Sequence, residues 1–383
     1  MAIMKKILFA APHYFSGQIQ VGAQHYSKLL SNNNWSVMYF SNFLSPFNLL
    51  FENNRKDIKL RLLNAINGGE YINENFFSQV CFTFLPHHNF TIFDKKFILY
   101  NYYKFSFPRI RKLLKEKDFD DVDVLWLDCA NQIFWKYILK YKKSIYRIYD
   151  AIEEFPNTGK IVLDAHAEAI KSCDLVLVTS MVNLNELVSK YNKINFVYCP
   201  NGVDLSNFLR SEYREPVEYK EIKKKRALYV GAIDEWFDEE LLVFLAEHSP
   251  EIQFIVIGPD RLGKMQSIHN ANIYYLGPKP FKDIPDYMFY ADFGIIPFKN
   301  TKLVRCINPI KMYEYFSLGK QVVSSTWEEL ELLKTPCLLA KGKINFLDLI
   351  KSNEVMNPCA NLLTDYAKAN TWEVRLRNII KLI

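Results

Sequence analysis

The chain alternates short apolar runs with longer stretches in which apolar residues recur at helical spacing. Strands that are buried on both faces need continuous apolar runs, so this alternation predicts parallel β-sheets covered by helices. The strands predicted in the first half are residues 6–10, 36–40, 80–85, 122–127, 144–149, 175–179 and 195–199. Those predicted in the second half are residues 226–230, 253–257, 272–276, 292–296, 321–324 and 337–340.

The two sets of strands predict two Rossmann-like domains in an α/β chain. A charged stretch that contains proline, residues 210–225, separates the two sets. We place the N-terminal domain at 1–205, the linker at 206–225 and the C-terminal domain at 226–365. A terminal helix within 361–383 is predicted from helical spacing, and its part from 366 to 383 is expected to pack back toward the first domain. Its apolar positions are Leu362, Leu363, Tyr366, Trp372, Val374 and Ile379.

Composition narrows the class of protein. The chain has 383 residues, of which 49% are hydrophobic and 23% charged, which is typical of a folded globular protein. The seven cysteines include no CxxC pair, and they predict reduced thiols in a cytoplasmic protein. The chain contains no run of about 18 apolar residues, so no membrane-spanning helix is predicted. The apolar run after Lys5 and Lys6 ends at Pro12, too early for a signal peptide.

The net charge of +6 lies entirely in the first half. Residues 1–210 hold 25 basic and 19 acidic residues, whereas residues 211–383 hold 23 of each. Such an excess suits an anionic partner, although a modest excess is more often simply a solvated face. It is densest at 101–117, where cations alternate with aromatic residues and favour contact with an anionic membrane surface. The cations there are Lys104, Arg109, Arg111, Lys112, Lys115 and Lys117.

The loops that follow predicted strands are the places to search for a site, because open α/β sheets bind ligands there. The loop after the first strand lacks GxGxxG and GxxxxGK[ST], and no acidic residue ends the second strand, which disfavours a nicotinamide dinucleotide. The loop can offer backbone N–H groups to an anion. Taken alone, its glycines are better explained as ordinary turn residues. The candidate residues of this acceptor-side loop are His13, Gly17, Gln20, Gly22 and His25.

Carboxylates follow the fifth predicted strand. Asp150, Glu153 and Glu154 would lie at the mouth of the sheet, where a partly desolvated carboxylate can take a proton from an attacking hydroxyl. Glu153 and Glu154 could instead complement a helix dipole. We therefore prefer Asp150 as a general base, with Glu153 as the second choice.

Asp121 and Asp123 spell DxD, a pattern that can suggest a metal-bound nucleotide sugar. They lie at the N-terminal end of a predicted strand, away from the expected ligand crevice. We interpret them as solvated turn carboxylates.

A well-delimited helix follows in the second half. Asn308 is a suitable N-cap, Pro309 suits the first helical position and Gly319 a C-terminal stop. Lys311 lies in the first turn, where a cation is unfavourable unless an anion such as a diphosphate binds there. Glu314 is one turn further on the same face, where its carboxylate can accept hydrogen bonds from ribose hydroxyls. An ordinary surface pair is the alternative.

At these residues the chain resembles the GT-B superfamily of nucleotide-sugar glycosyltransferases, especially bacterial enzymes of capsule, O-antigen and teichuronic acid assembly. The resemblance extends over nearly the whole chain. The matching residues are 200–204, 229–236, 257–259, 276–277, 308–315, 319 and 322–323.

The resemblance implies two Rossmann-like domains that face each other across a cleft, with the nucleotide sugar on the C-terminal domain and the acceptor on the N-terminal domain. It makes Asp150 the catalytic carboxylate of an inverting transfer. Many retaining relatives carry a glutamate where this chain has Cys306, which disfavours retention. The residues that it implies for the nucleotide sugar are Gly231, Asp234, Leu276, Gly277, Pro278, Lys279, Arg305, Asn308, Pro309, Lys311 and Glu314.

The sequence thus predicts a transferase that moves a sugar, expected from a UDP-sugar, to a hydroxyl of a cell-surface glycan or lipid-linked acceptor. We expect no cofactor and no metal, because Lys311, Arg305 and helix N-termini can neutralise the leaving diphosphate. We expect action at the cytoplasmic face of the membrane and no nucleic-acid partner. The alternatives are a sugar-nucleotide epimerase on the same fold and a non-catalytic nucleotide-sugar-binding protein.

Overall fold

The computed structural model describes residues 4–17, 20–51, 55–85, 95–155, 158–192, 195–222 and 225–383. The chain forms two compact units, the first made of Met1–Cys199 and Leu376–Ile383 and the second of Pro200–Arg375. Positions 223 and 224 of the predicted linker lie outside the described residues. The division of roles between domains stays a prediction.

The first unit is built on a mostly parallel sheet. Its strands are β1 (Lys6–Ala10), β2 (Ser36–Phe40), β3 (Glu70–Asn73), β4 (Phe76–Gln79), β5 (Phe82–Thr83), β6 (Ser106–Phe107), β7 (Asp121–Leu127), β8 (Lys140–Ile148), β9 (Leu175–Val178) and β10 (Phe196–Tyr198). Within the described residues, eight of them form one sheet in the order β10-β9-β8-β7-β1-β2-β4-β3, with only β3 antiparallel to its neighbour. The central strand β1 is apolar throughout its buried part, because helices cover both faces.

Helices alternate with these strands. Ser180 caps one of them, its hydroxyl accepting a hydrogen bond from the Asn183 N–H at 3.2 Å. The helices of this part are α1 (Gly22–Asn32), α2 (Pro46–Phe51), α3 (Arg55–Ile66), α4 (Lys96–Asn101), α5 (Ile110–Glu116), α6 (Trp135–Ile138), α7 (Lys160–Ser172) and α8 (Met181–Tyr191).

The second unit has a fully parallel sheet of β11 (Lys225–Val230), β12 (Ile252–Ile257), β13 (Ile273–Tyr275), β14 (Phe293–Ile296), β15 (Val322–Ser325) and β16 (Leu338–Ala340). Over the described residues its order is β13-β12-β11-β14-β15-β16, so the chain grows outward from β11 in one direction and from β14 in the other. The adjacent ends of β11 and β14 are a topological switch point, where open α/β sheets bind ligands.

The helices of the second unit are α9 (Leu205–Phe208), α10 (Glu239–His248), α11 (Ile284–Phe289), α12 (Lys302–Arg305), α13 (Ile310–Ser317), α14 (Glu328–Leu333), α15 (Lys343–Lys351), α16 (Asn353–Met356) and α17 (Ala360–Ala369). The last helix, α18 (Trp372–Ile380), crosses the boundary between the units in sequence. The predicted α/β fold with parallel sheets is confirmed.

One predicted strand was wrong. Residues 80–85 contribute no strand to the main sheet, and β5 pairs instead with β6 in a separate antiparallel ribbon. In the main sheet, β4 lies next to β2 in the place predicted for residues 80–85, and β3 forms the edge of the sheet. The apolar-run criterion missed β4 because half of it is polar: Ser78 and Gln79 are buried there, and Asn64 donates to the Ser78 carbonyl.

The single terminal helix predicted within 361–383 was also wrong, because the structure has two, α17 and α18. The chain between them is extended and pairs with Val203, whose N–H donates to the Asn370 carbonyl at 3.1 Å and whose carbonyl accepts from the Trp372 N–H at 3.2 Å. A helix cannot make these bonds, so it ends and restarts.

The seven cysteines all lie among the described residues, and none of them forms a disulfide. None of the helices that the structure describes combines the length and the apolar character needed to cross a membrane.

Candidate functional site

The loops after three neighbouring strands of the second unit meet at the carboxyl edge of the sheet. Gly231 follows β11 and donates its N–H to the Ile257 carbonyl at 2.8 Å, while Gly258 follows β12 and donates to the Gly277 carbonyl at 3.1 Å. A Cβ at Gly258 would overlap the Gly231 carbonyl. Glycine is therefore required for this close approach of the two loops.

Lys311 and Glu314 of α13 lie beside this edge. A Cβ placed on Gly231 would lie 2.9 Å from the Lys311 Nζ, so the ammonium group packs directly over the glycine backbone. Lys311 is half-buried, and Glu314 is buried with 7% of its surface exposed. The structure thus brings together Gly231 and Lys311, with Glu314 one helical turn further along α13.

The electrostatics of this pair favour ligand binding. Burial raises the pKa of Glu314 to about 7, the Lys311 ammonium opposes that rise and Asp204 adds to it. Burial lowers the pKa of Lys311, and Glu314 opposes that change. A cation that has lost much of its hydration gains from an anionic ligand, and a buried carboxylate gains from hydroxyl donors. The pair therefore suits a ligand with an anionic part next to hydroxyl groups.

Helix α13 begins one residue later than the sequence predicted. Its N-cap is Pro309 rather than Asn308, so Pro309 does not occupy the first helical position. Asn308 is buried and committed elsewhere: its Oδ1 accepts a hydrogen bond from the Tyr313 hydroxyl at 3.3 Å, and its carbonyl accepts from Asn201 Nδ2 at 2.8 Å. Gly319 lies just beyond the end of the helix with φ of 67°, where glycine is favoured.

The stretch predicted to meet the nucleobase follows β13. Leu276 and Gly277 are half-buried and Pro278 is exposed. Lys279 is held by an ion pair with Glu218 at 2.7 Å, and the Tyr287 hydroxyl donates to the same carboxylate. Lys279 is thus anchored within its own unit. Leu276 and Pro278 keep accessible surface that a nucleobase could contact.

Two other predicted residues have partners of their own. Asp234 pairs with Arg261 at 3.1 Å. Arg305, at the end of α12, pairs with Glu328 at 3.5 Å. Neither pair is fully buried, so a ligand could displace it at low cost.

Arg305 also lines a cavity of about 790 Å³ at the carboxyl ends of β14, β15 and β16. The lining mixes aromatic side chains such as Phe244 with carboxylates such as Glu240 and Glu328. Of the residues predicted to hold the nucleotide sugar, Arg305 is the one that this cavity includes. Lys311 and Glu314 are not among the residues that line this cavity.

In the first unit, Asp150 lies two residues beyond β8 and is half-buried. Burial raises the pKa of Asp150 to about 6, and the Arg147 guanidinium opposes the rise. A carboxylate with a pKa close to neutral is ionised at pH 7 and still basic enough to accept a proton. Asp150 thus has the properties of a general base.

Sequence reasoning missed a buried ion pair beneath this end of the sheet. Arg147 Nη1 lies 3.2 Å from the Asp128 carboxylate, and both side chains are about 1% exposed or less. A Cβ at Gly22 would lie 2.5 Å from Arg147 Nη2, so the guanidinium packs against the start of α1. Burial raises the pKa of Asp128 and the guanidinium opposes that shift. The available signal was an arginine among the apolar residues Ile145, Tyr146 and Ile148 at the end of β8.

Glu153, the second choice for a base, is exposed and pairs with Lys190 at 2.7 Å. It lies in a 3₁₀ turn, Ile152–Glu154, rather than at a strand end. The surroundings of Glu153 therefore favour an ordinary surface role.

The acceptor-side loop is held by hydrogen bonds of its own. Gln20 Nε2 donates to the Gly17 carbonyl at 3.0 Å, and the His13 carbonyl accepts from the Tyr39 hydroxyl at 3.0 Å. His25 is buried in the first turn of α1. Positions 18 and 19 lie outside the described residues. These bonds hold described residues on either side of positions 18 and 19, and the role of the loop stays a prediction.

No known protein-family profile matches the sequence. Among curated proteins, the chain is 23% identical over 186 residues to a protein of Bacillus subtilis (strain 168) that carries the name of a teichuronic acid biosynthesis glycosyltransferase, TuaH. The alignment covers 46% of this chain and 46% of that protein, so the chain matches less than half the length of this relative.

Solved structures match over almost the whole chain. Sucrose-phosphate synthase from Thermosynechococcus elongatus has a TM-score of 0.70 at 13% identity, with 99% of this chain and 98% of that chain covered. Anabaena HepE in complex with UDP and glucose has a TM-score of 0.68 at 14% identity, with 99% of each chain covered. At these identities the likeness shows the fold, which is the GT-B fold predicted from the sequence.

Proposed function

We propose that the chain is a glycosyltransferase that moves a sugar from a UDP-sugar to a hydroxyl group of a cell-surface glycan or lipid-linked acceptor. The GT-B fold, the name of the curated relative and the UDP in the HepE complex all support this class of donor. One fold can host several functions, so the function is inferred from the residues of the site.

The observation that carries the proposal is the packing of Lys311 over Gly231, with Glu314 one turn further along α13. A diphosphate placed there would meet the Lys311 ammonium and the N–H groups at the start of α13. The adjoining ribose hydroxyls would donate to Glu314. This arrangement matches the two chemical parts of a nucleoside diphosphate.

We assign Asp150 as the general base of an inverting transfer. Its carboxylate would take the proton of the acceptor hydroxyl while that oxygen bonds to the anomeric carbon of the donor sugar. The bond from the same carbon to the diphosphate oxygen breaks, and UDP leaves with the electron pair. Lys311 and the start of α13 would stabilise the negative charge on the leaving diphosphate, so the reaction would need no metal ion.

We place the reaction at the cytoplasmic face of the cell membrane. The name of the curated relative points to a surface polymer. The cations at 101–117 support contact with an anionic bilayer, because most of them are exposed on and around α5.

The donor site is tested by calorimetry with UDP, GDP and CMP on the parent and on Glu314→Gln and Lys311→Ala. We expect UDP to bind the parent and each variant to bind it about 10-fold to 100-fold more weakly, since one charge-assisted contact is lost. Lys302→Ala, an exposed lysine of α12, is the matched control and should bind like the parent. Parental UDP affinity in both site variants would place the donor elsewhere.

Turnover then separates the proposed activity from its alternatives. A transferase needs both a UDP-sugar and an acceptor, and a chelator should leave its rate unchanged. Conversion of the bound UDP-sugar without any acceptor would instead indicate an epimerase.

A further inference from the structure

The two-stranded ribbon of β5 and β6 has an unusual distribution of side chains. Thr83 pairs with Ser106, and both are buried, with 0% and 6% of their surface exposed. Phe82 pairs with Phe107 on the opposite face. Strand residues alternate between faces, so the small polar residues point inward and Phe107 outward, while Phe82 is half-buried and packs partly against apolar residues of the first unit.

The outer face of this ribbon is a cluster of aromatic rings. Continuing the register by one residue brings Phe84 opposite Phe105. Phe84 is 78% exposed, Phe107 67% and Phe105 48%, and the rings of Phe82 and Phe84 pack edge to face at 5.2 Å. Phe97, on the adjoining α4, is 69% exposed. We call Phe82, Phe84, Phe97, Phe105 and Phe107 the aromatic face.

The ribbon is fixed to the body of the first unit by its backbone. The Thr83 N–H donates to the Leu44 carbonyl and the Leu44 N–H to the Cys81 carbonyl, both at 2.8 Å. The Tyr102 hydroxyl donates to the Leu85 carbonyl at 3.0 Å. These bonds hold the phenylalanines outward, so folding of the ribbon itself cannot hide them.

Cations flank the residues of the aromatic face along the chain. From Lys95 to Lys117 the chain has eight lysines and arginines and one acidic residue, Glu116. Lys104 precedes Phe105 and Arg109 follows Phe107 by two residues, and both cations are exposed. Among the described residues no carboxylate pairs with either of them. Exposed aromatic rings with cations near them complement a surface that has an apolar interior and anionic groups on its outside.

We infer that the aromatic face inserts into the interface of an anionic lipid bilayer, with Lys104 and Arg109 at the headgroups. A second protein chain would cover the rings equally well, but it would not need an unbroken excess of positive charge around them. The inference rests on the proposed function and deepens it, because a lipid-linked acceptor would be presented to the enzyme at a bilayer.

Insertion differs from electrostatic contact in its response to salt. Attraction between exposed charges and headgroups is screened over about 10 Å at 0.1 M salt, whereas burial of phenylalanine in the interface is not. Binding of the full chain to vesicles should therefore fall when salt is added and then level off at a remaining fraction.

The test uses co-sedimentation with vesicles of phosphatidylcholine, with and without phosphatidylglycerol, at low and high salt. The double variant Phe84→Ser and Phe107→Ser should lose the salt-resistant fraction, with an affinity at least about 10-fold lower. The double variant Lys104→Glu and Arg109→Glu should lose the preference for phosphatidylglycerol. Ile66→Ser, which changes an aliphatic residue that is 68% exposed at the end of α3, is the control and should bind like the parent.

Depth is measured separately. Tryptophan introduced as Phe107→Trp should be quenched by brominated lipid, whereas Ile66→Trp should not. Parental vesicle binding by the double phenylalanine variant would overturn the inference. So would a dimer of the parent, seen by light scattering, that the same variant converts to monomer, because a second copy would then cover the aromatic face.

These outcomes are independent of the donor site. The phenylalanine variant should bind UDP as the parent does in calorimetry. If the parent bound vesicles but not UDP, the proposed transferase would be refuted and membrane insertion of the aromatic face would stand. If it bound UDP but not vesicles, the transferase would stand and the insertion would be refuted.

Discussion

Asp150 and Glu153 differ by three positions in sequence and sharply in their surroundings. Asp150 is half-buried beyond β8, and no described residue donates a hydrogen bond to its carboxylate, whereas Glu153 pairs with Lys190 in the open. Desolvation keeps the pKa of Asp150 at about 6. The contrast in solvation is the physical reason to prefer Asp150 as the base.

The first prediction concerns that base. Asp150→Asn keeps the shape of the side chain and removes its proton acceptor, so turnover should fall about 100-fold to 10,000-fold while UDP affinity changes little. The parental rate should rise with pH through about 6, because the carboxylate must be ionised to act. Glu153→Gln is the matched control and should keep the parental pH profile. An Asp150→Asn enzyme with near-parental turnover would contradict the assignment.

The second prediction concerns the Asp128–Arg147 pair. Arg147→Met leaves a buried carboxylate without its counter-charge, which should lower the free energy of unfolding by about 3 to 5 kcal/mol, measured in urea. Adding Asp128→Asn should recover part of that loss, because the uncompensated charge disappears. The guanidinium lowers the pKa of Asp150, so its removal should raise that pKa. The rise of the transfer rate with pH should therefore occur at higher pH in Arg147→Met than in the parent. A double variant less stable than Arg147→Met would argue against charge as the cause.

Individual elements show how tertiary contacts interrupt a helical pattern. The apolar spacing after residue 360 continues across Asn370 and Thr371, yet the backbone there is extended against Val203. Two backbone hydrogen bonds to a segment about 170 residues away outweigh the local preference for helix.

The third prediction tests this junction. A Cβ on Gly202 would lie 2.8 Å from both the Thr371 carbonyl carbon and the Trp372 nitrogen, which are backbone atoms that cannot rotate away. Gly202→Ala should therefore lower the free energy of unfolding by about 1 to 3 kcal/mol. Leu362→Ala, which truncates a side chain that is 58% exposed on α17, should change it by less than about 0.5 kcal/mol. Equal stabilities of the two variants would show that the junction has room.

At the scale of the whole molecule, buried ionisable groups set the response to acid. His166 is 3% exposed, and its Nδ1 lies 2.7 Å from the Tyr146 hydroxyl. Burial lowers the pKa of His166 to about 4, Glu153 opposes that shift and Lys190 adds to it. Between the unfolded value of about 6.5 and this value the unfolded chain binds more protons, so stability falls as the pH falls.

The fourth prediction follows from that sign. His166 should cost the parent about 3 kcal/mol of unfolding free energy between about pH 7 and pH 4, because 1.36 kcal/mol accompanies each pKa unit. His166→Asn can still form a hydrogen bond with the Tyr146 hydroxyl but has no group that titrates in this range. The unfolding free energy of the variant, measured in urea at a series of pH values, should therefore fall less steeply as the pH falls. Identical slopes for parent and variant would mean that folding does not lower the pKa of His166.

The sequence by itself determined the α/β class, the positions of most strands and the spacing of Lys311 and Glu314 on one helix. These features depend on local periodicity and on capping chemistry, which neighbouring residues carry. The sequence missed β4 because two of its four buried residues are polar, and it missed β3 because that edge strand has no buried residue.

Only the tertiary structure decided which distant groups meet. Arg147 lies against Gly22, which is 125 residues away in the chain, Lys311 against Gly231, and the ribbon turns its phenylalanines outward. No local pattern encodes these contacts, because each depends on how strands and loops far apart in sequence pack together. The residues of the candidate sites could therefore be named from the sequence, but their burial and their charge partners could not.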